Sequence, residues 1–211
     1  MNVYDISWPL STATTGYKNK DVINFKPLKK FSEYNMRETE ITLSSQGGTH
    51  VDAPSHMLKD GKTIDQVGLD KLIGPAVVLD LTLVPEKITR DDLKAYDDDI
   101  HEGGIILLKT ANSLKQPTDD FTPHFVYLEH SGAQYLVEKK VKAVGIDYVG
   151  IERSQPKHPT HWELMSNDIA IIEGLRLFHV EPGHYVLVCL PLSVIGIDGG
   201  PARAVLLDDS E

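Results

Sequence analysis

The sequence is poor in the residues that mark secreted proteins. Its 211 residues include a single cysteine, so an intrachain disulfide is excluded, and this usage suits a reducing cytoplasm. Cys189 lies within an apolar run, which predicts a buried, inert thiol and not a nucleophile.

Basic residues are outnumbered by acidic ones. Lys and Arg total 21 against 31 Asp and Glu, and the formal net charge at pH 7 is −10. Nucleic acids and anionic membranes are bound by clustered Lys and Arg, whereas this chain has only isolated lysine pairs. The composition therefore predicts neither a nucleic-acid partner nor a membrane partner.

Long apolar runs are also missing. The longest stretch without Asp, Glu, Lys or Arg covers residues 182–197, which is 16 residues, and it contains Pro191. A membrane-spanning helix needs about 20 apolar residues. The N-terminal segment lacks a basic region followed by an apolar core, so it is not expected to act as a secretory signal. We expect a cytoplasmic protein.

What is present is typical of one domain over residues 1–211, since no linker, repeat or low-complexity tract interrupts the chain. Short apolar runs rich in β-branched residues predict strands at 76–83, 104–109, 143–147, 169–172, 185–190 and 204–207. Helices are predicted at 89–96, 131–140 and 160–165. Because strands outnumber helices and do not alternate regularly with them, the predicted fold class is α/β with a mixed sheet.

Reactive side chains concentrate in residues 45–56. His50 and Asp52 are two apart, so on a strand they would share one face with Gln46 and Gly48. The proline at position 54 would end the strand and turn His56 back toward that face. Imidazole and carboxylate groups are suitable ligands for Zn²⁺ or Mn²⁺. A bare His-x-Asp pair is more often a hydrogen-bonded pair at a sheet edge, but the surrounding glycines and proline favour a site.

Further ligands would have to come from another segment, because one strand cannot surround an ion. His161 lies in a predicted short helix, and Glu173 ends a buried apolar strand, where an unpaired carboxylate would be costly. Taken alone, His161 is more often an ordinary helix histidine, and Glu173 is more often a salt-bridge partner or a surface residue. Spacing by itself leaves these alternatives open.

The segment from Gln46 to His56 resembles the HxGTHxDxPxH signature of the cyclase family of metal-dependent hydrolases. Bacterial kynurenine formamidase (arylformamidase) and isatin hydrolase belong to this family. Similar stretches at 6–10, 107–110, 145–147, 161–175 and 190–203 extend the resemblance over nearly the whole chain. The resemblance implies a swivelling β/β/α fold, a homodimer or homotetramer, and hydrolysis of C–N bonds other than peptide bonds in a small substrate.

The resemblance also implies a role for each matching residue. The metal ligands would be His50, Asp52, His161 and Glu173, and His56 would be the catalytic proton donor and acceptor.

The chain departs from the signature at its first histidine, which is Gln46 here. Glutamine is a neutral and weaker ligand for Zn²⁺ than imidazole. We therefore expect one strongly held Zn or Mn ion, with binding of a second ion disfavoured. Residues 11–37 also lack the Pro-Gly-Asp-Pro stretch associated with kynurenine formamidase, which points to another substrate.

The expected reaction is hydrolysis of an amide, formamide, lactam or ester by activated water. Candidate hydrogen-bond partners of the ligands are Thr49, Ser55 and Asp147. Four aromatic residues are candidates for an apolar pocket wall, although core packing is the commoner role of each: Trp8, Tyr17, Tyr148 and Trp162. The alternative is a non-catalytic or cyclase-type metal-binding member of the same family. A catalytic site keeps an open coordination position, whereas a structural site is closed by protein ligands.

Overall fold

The computed structural model describes residues 1–208, which form twelve β-strands and four short α-helices. The strands are β1 (Asn2–Asp5), β2 (Ile23–Lys29), β3 (Glu38–Leu43), β4 (His50–Asp52), β5 (Ile73–Asp80), β6 (Lys87–Ile88), β7 (Ile105–Lys109), β8 (Tyr127–Leu128), β9 (Ala143–Ile146), β10 (Ala170–Glu173), β11 (Gly183–Pro191) and β12 (Gly199–Asp208). The helices are α1 (Phe31–Tyr34), α2 (Arg90–Lys94), α3 (His130–Glu138) and α4 (Pro159–Ser166).

The main sheet closes on itself. Its strands follow the order β1-β12-β11-β5-β7-β9-β10-β4. Because β4 pairs with β12 as well as with β10, the strands from β12 to β4 form a closed ring, and β1 lies outside it. Strands β5, β7, β9 and β10 are parallel to their neighbours in that run, whereas the remaining pairs are antiparallel. The predicted α/β class with a mixed sheet is confirmed, and each predicted strand overlaps a strand of this ring.

The parallel strands of the ring bury both faces, in alternation. Val77 and Ile106 pack in a core that also contains helix residues such as Leu136 of α3. Their neighbours Val78 and Leu107 pack in a second core inside the ring. This alternation follows from the two-residue period of a β-strand, and it explains why the strand sequences are almost continuously apolar.

Cys189 lies in the core inside the ring and is completely buried. Burial raises the pKa of its thiol to about 12. The thiolate form is therefore scarce at neutral pH, and the predicted inert thiol is confirmed.

A separate antiparallel hairpin, β2–β3, stands beside the ring. No strand was predicted here, because apolar and polar residues alternate only over the short stretches 23–26 and 40–43. Most of its residues are exposed, including the apolar side chains of Phe25 and Ile41. In residues 1–208, no helix has the length and apolar character that a membrane span requires.

Asp147 follows β9 and is a structural hub, not the hydrogen-bond partner of a metal ligand that was considered from sequence. Its buried carboxylate accepts bonds from the backbone N–H groups of Thr110 and Ser113 at 2.7 and 3.1 Å. The two hydroxyls donate to it as well, at 2.7 and 2.6 Å, and the Asn112 amide approaches at 3.4 Å. A group that only accepts is required at this position.

We therefore expect Asp147→Asn to destabilise the fold by about 2–4 kcal/mol, because the new amide N–H₂ faces donors and leaves buried groups unpaired. Chemical denaturation measures the free energy of unfolding. The exposed Asp98→Asn is the matched control and should change it by less than about 0.5 kcal/mol. Equal stability of the two variants would contradict the hub role.

Candidate metal and catalytic site

The pairing of β4 with β10 brings three candidate ligands onto one face of the sheet. Glu173 lies directly opposite His50, and Asp52 lies opposite Ile171. Paired residues in an antiparallel ladder point to the same side, as do residues two apart. Ile171 packs in the core shared with the helices. The three polar side chains therefore project toward the helix layer, where α4 contributes His161.

The four predicted ligands converge in a buried cluster. His50 Nε2 lies 3.5 Å from Asp52 Oδ1 and 3.4 Å from Glu173 Oε2. His161 Nε2 lies 3.7 Å from Asp52 Oδ2 and 3.5 Å from Glu173 Oε1. All four residues are buried. Ligand atoms of His50, Asp52 and Glu173 also lie within 4.8 Å of one another, a spacing compatible with one ion.

Both imidazoles are held so that Nε2 faces the carboxylates. His50 Nδ1 donates to the carbonyl oxygen of Gly48 at 2.9 Å. His161 Nδ1 donates to Glu152 Oε2 at 2.8 Å, and the same oxygen accepts the backbone N–H of His161 at 3.0 Å. Because these partners only accept, a neutral imidazole must present the lone pair of Nε2 to the cluster. This second hydrogen bond is the usual way a protein orients a metal-binding histidine.

The chemistry of the cluster fits a divalent cation. Within the described residues, His50 Nε2 and both oxygens of Asp52 are buried with no hydrogen-bond partner. With neutral imidazoles, lone pairs face lone pairs, which is unfavourable unless positive charge lies between them. A divalent cation supplies that charge and takes nitrogen and oxygen ligands of this kind.

The pKa values of the cluster show the same preference for positive charge. Burial would lower the pKa of His50, but contact with Glu173 and the charge of Asp52 outweigh it and raise the pKa to about 9. Burial likewise opposes protonation of His161, yet its contacts with Glu152 and Glu173 raise the pKa to about 10. Burial and the charge of Glu173 together raise the pKa of Asp52.

The glycines before His50 make a turn, which corrects the expectation of a strand that includes Gln46 and Gly48. Gly48 has a φ of +63°, and only residues 50–52 are extended and paired. Gly174, with a φ of +69°, packs so closely that a Cβ there would lie 2.3 Å from the Gly48 carbonyl oxygen. Thr49 fastens this contact, since its hydroxyl donates to the Gly174 carbonyl at 2.6 Å. Its role is to hold β4 against β10.

His56 returns to the cluster as expected. A 3₁₀ turn, Pro54–His56, places its ring centroid 6.2 Å from that of His161. His56 Nδ1 lies 3.3 Å from Asp198 Oδ2. This contact leaves the other ring nitrogen, Nε2, unengaged by Asp198.

Gln46 also contacts Asp198, with its amide nitrogen 3.1 Å from Oδ2. Ser45 donates to the other carboxylate oxygen at 3.0 Å. Partial burial opposes ionisation, but the donors at Ser45, Gln46 and His56 hold the pKa of Asp198 below its usual value.

A cavity of about 470 Å³ reaches the cluster from solvent. Its wall includes three of the four candidate ligands, His50, His161 and Glu173, but not Asp52. The proposed proton donor His56 and Gln46 line it as well. Of the four aromatic residues considered for the wall, only Tyr17 lines the cavity. Trp8 and Tyr148 are buried in a separate aromatic cluster, which is the commoner core role. Trp162 projects from the surface and does not line the cavity.

Sequence reasoning missed two residues of the site, Glu152 and Asp198. Asp198 is 142 residues from His56 along the chain, in a stretch that resembles the family but suggested no role for it. Glu152 is nine residues before His161, in a segment that carries no motif. The three partners considered from sequence do not fill this role: Thr49 and Asp147 support the backbone elsewhere, and the Ser55 hydroxyl has no hydrogen-bond partner among residues 1–208. A buried carboxylate next to a histidine is the signal that would have found Glu152, but it is visible only in three dimensions.

Comparison with known proteins identifies the family. The family model described as "Putative cyclase" matches residues 4–153, which is most of the chain. The chain belongs to the cyclase family. Kynurenine formamidase from Salinibacter ruber is 30% identical over 99% of this chain and 98% of its own. The enzyme of the same name from Geobacillus thermodenitrificans is 38% identical over 79% of this chain and 78% of its own.

Solved structures agree with the family assignment. A structure described as a "potential metal-dependent hydrolase with cyclase activity" is 40% identical, covers 100% of this chain and 99% of its own, and gives a TM-score of 0.89. Isatin hydrolase A from Ralstonia solanacearum is 21% identical, with a TM-score of 0.87 over 98% of this chain and 92% of its own. At that identity the second likeness establishes the shared fold.

Proposed function

We propose that this cyclase-family protein is a metal-dependent hydrolase that cleaves a C–N bond other than a peptide bond in a small substrate, as an arylformamidase does. The observation that carries the proposal is the buried group of two Nε2 atoms and two carboxylates, of which His50, His161 and Glu173 line an open cavity, with His56 beside the group. The relatives named kynurenine formamidase support an amide or formamide as the scissile group. A lactam or ester is the related alternative.

The residues proposed to hold the ion are His50, Asp52, His161 and Glu173. Zn²⁺ and Mn²⁺ both suit two imidazoles and two carboxylates. A bound divalent ion of this type acts as a Lewis acid and lowers the pKa of water from about 15.7 toward about 7. Gly48 and Glu152 keep the two imidazoles in the tautomer that presents Nε2. We propose one ion, because the side chain of Gln46 is engaged with Asp198.

His56 is proposed to carry the proton. Its Nδ1 faces Asp198, which leaves Nε2 to accept a proton from the attacking water and to return it to the leaving nitrogen. A side chain at the cavity wall is within reach of both groups when a substrate lies against the cluster. Tyr17 contributes an apolar surface to the same cavity, and Lys18 and Lys20 line it with positive charge.

We expect a chelator to abolish hydrolysis of an aryl formamide such as N-formylaniline. Dialysis against dipicolinate should remove the ion, and activity should return with Zn²⁺ or Mn²⁺ but not with Mg²⁺, which binds nitrogen ligands poorly. An aryl ester and an aryl acetamide, assayed in parallel, distinguish the scissile bond. Full activity in protein shown to be metal-free by elemental analysis would contradict the proposal.

The second candidate is a non-catalytic or cyclase-type metal-binding member, which the words "cyclase activity" in one similar structure's description favour. The open cavity supports a catalytic role, because a structural metal site is closed by protein ligands. Bound metal with no turnover of formamide, amide, lactam or ester would support the second candidate.

We also propose that residues 1–211 act as one domain in a cytoplasmic homodimer or homotetramer. The exposed apolar side chains of the β2–β3 hairpin and α1 support self-association: Phe25, Phe31, Tyr34, Met36 and Ile41. A two-stranded hairpin is marginally stable alone. Light scattering should give a mass of two or four chains, and a monomer at micromolar concentration would contradict this assembly.

A further inference from the structure

Asp198 connects two residues of the signature that the fold places side by side. Its Oδ2 lies 3.1 Å from the amide nitrogen of Gln46 and 3.3 Å from Nδ1 of His56. A carboxylate only accepts, so both nitrogens donate to the same oxygen. The tautomer of His56 and the orientation of the Gln46 amide are therefore set by one group.

The carboxylate of Asp198 is itself held in place. Ser45 donates to Oδ1 at 3.0 Å. The backbone carbonyl of Asp198 accepts the N–H of Ala53 at 3.0 Å, which ties it to the segment between Asp52 and His56.

Gly199 makes room for the Gln46 side chain in this arrangement. A Cβ at Gly199 would lie 2.5 Å from the Gln46 amide nitrogen. The glutamine thus lies in a cradle that a larger residue after Asp198 would fill. Its amide nitrogen also approaches the Asp198 carbonyl oxygen at 3.4 Å.

We propose that Asp198 is the positioning residue that keeps the proton of His56 on Nδ1, and that Gln46 supports it by donating to the same carboxylate and is not a metal ligand. The proposal rests on the proposed hydrolase function for its kinetic consequences. Its structural consequences, the tautomer of His56 and the number of bound ions, can be measured whether or not a substrate is known.

The first test replaces Asp198. We expect Asp198→Ala to lower kcat about 10–100-fold, the range typical of a residue that orients a reacting group, with KM changed less than about 2-fold and one ion retained per chain. Asp198→Asn should recover most of the loss, because its amide oxygen can take the place of Oδ2 while its nitrogen faces the Ser45 hydroxyl. The exposed Asp60→Ala is the matched control.

Long-range ¹H–¹⁵N spectra of the zinc-loaded protein provide a readout that does not depend on activity. The ring signals of His56, assigned by their loss in His56→Gln, should show the Nδ1–H tautomer in the wild type and a mixture in Asp198→Ala. An unchanged tautomer in Asp198→Ala would overturn the positioning role, even if kcat falls.

The second test separates a supporting glutamine from a ligand. Gln46→Glu places a second carboxylate against Asp198, so the proposal predicts a lower kcat than for Gln46→Ala, with one ion in both variants. If residue 46 were a metal ligand, Gln46→Glu should instead bind metal more tightly than Gln46→Ala, because a carboxylate binds a cation more tightly than an amide does. Metal analysis that shows lost metal in Gln46→Ala, or a second ion in Gln46→Glu, would overturn the proposal. Gln134→Glu on the exposed face of α3 controls for the added charge.

Discussion

Asp52→Ala should remove the bound divalent ion and reduce hydrolysis to below about 1% of the wild-type rate. The two oxygens of Asp52 face the two different imidazoles, at 3.5 Å from His50 and 3.7 Å from His161. Within residues 1–208 both oxygens are buried with no hydrogen-bond partner, whereas Glu173 also accepts the backbone N–H of Ile151. Loss of a partner outside the ligand shell commonly costs about 10–100-fold in metal affinity. Loss of this central carboxylate should cost more. Elemental analysis after gel filtration measures the ion, and a formamide or ester assay measures turnover.

The controls for Asp52→Ala separate metal loss from misfolding. Circular dichroism and thermal melting establish that the variant is folded, and the exposed Asp60→Ala should keep both metal and activity. Because the alanine leaves buried imidazoles without one carboxylate, Asp52→Asn provides a second variant of nearly unchanged volume. A folded Asp52→Ala that keeps one ion per chain would show that the ion lies elsewhere.

His56→Ala should lower kcat by about 10²–10⁴-fold, the usual contribution of a general acid–base group, and leave the metal content unchanged. His56 is beside the cluster, with its ring centroid 6.2 Å from that of His161. Within residues 1–208 its ring contacts the carboxylate of Asp198 and not those of Asp52 or Glu173. Its loss therefore removes the proton carrier without removing a proposed ligand. Steady-state kinetics and metal analysis on the same preparation test both statements.

The matched control for His56→Ala is the exposed His179→Ala, which should behave as wild type. Substrates with better leaving groups add a further check, because they need less proton donation. The deficit of His56→Ala should therefore shrink for an activated ester relative to a formamide. A variant that retains full kcat on the formamide would rule out His56 as the proton carrier.

The central strands could be predicted from sequence because their burial on both faces leaves a strong apolar signal. Runs such as 104–109 contain almost no polar residue, and the structure places Ile105 and Ile106 in opposite cores. The hairpin β2–β3 has the opposite character. Its exposed residues carry no apolar run, and the alternation of apolar and polar residues is confined to 23–26 and 40–43, so the local signal for strands is weak.

Some residues of the candidate site could likewise be predicted from sequence, and others could not. His50, Asp52 and His56 lie in one short segment whose spacing carries chemical meaning, and the family signature extended the set to His161 and Glu173. Their proximity in the structure agrees with the set, and their roles as ligands remain predictions. Glu152 and Asp198 lie outside any such spacing, because their function depends on which strands and turns meet in space.

The extended conformation expected for residues 46–49 was wrong for a local reason. Gly48 adopts a positive φ, and the close approach of Gly174 requires a turn at this point. Aromatic residues likewise carry little positional information, since Trp8 and Tyr148 satisfy a core as readily as a pocket wall.

The central claim is that one divalent ion is held by His50, Asp52, His161 and Glu173 at the wall of an open cavity. Anomalous diffraction from crystals of the metal-loaded protein, with data at the zinc or manganese absorption edge, tests it most directly. The account predicts one strong anomalous peak between the two Nε2 atoms and the two carboxylates, with a coordination position open to the cavity. A peak at another location, or an ion enclosed entirely by protein ligands, would contradict it.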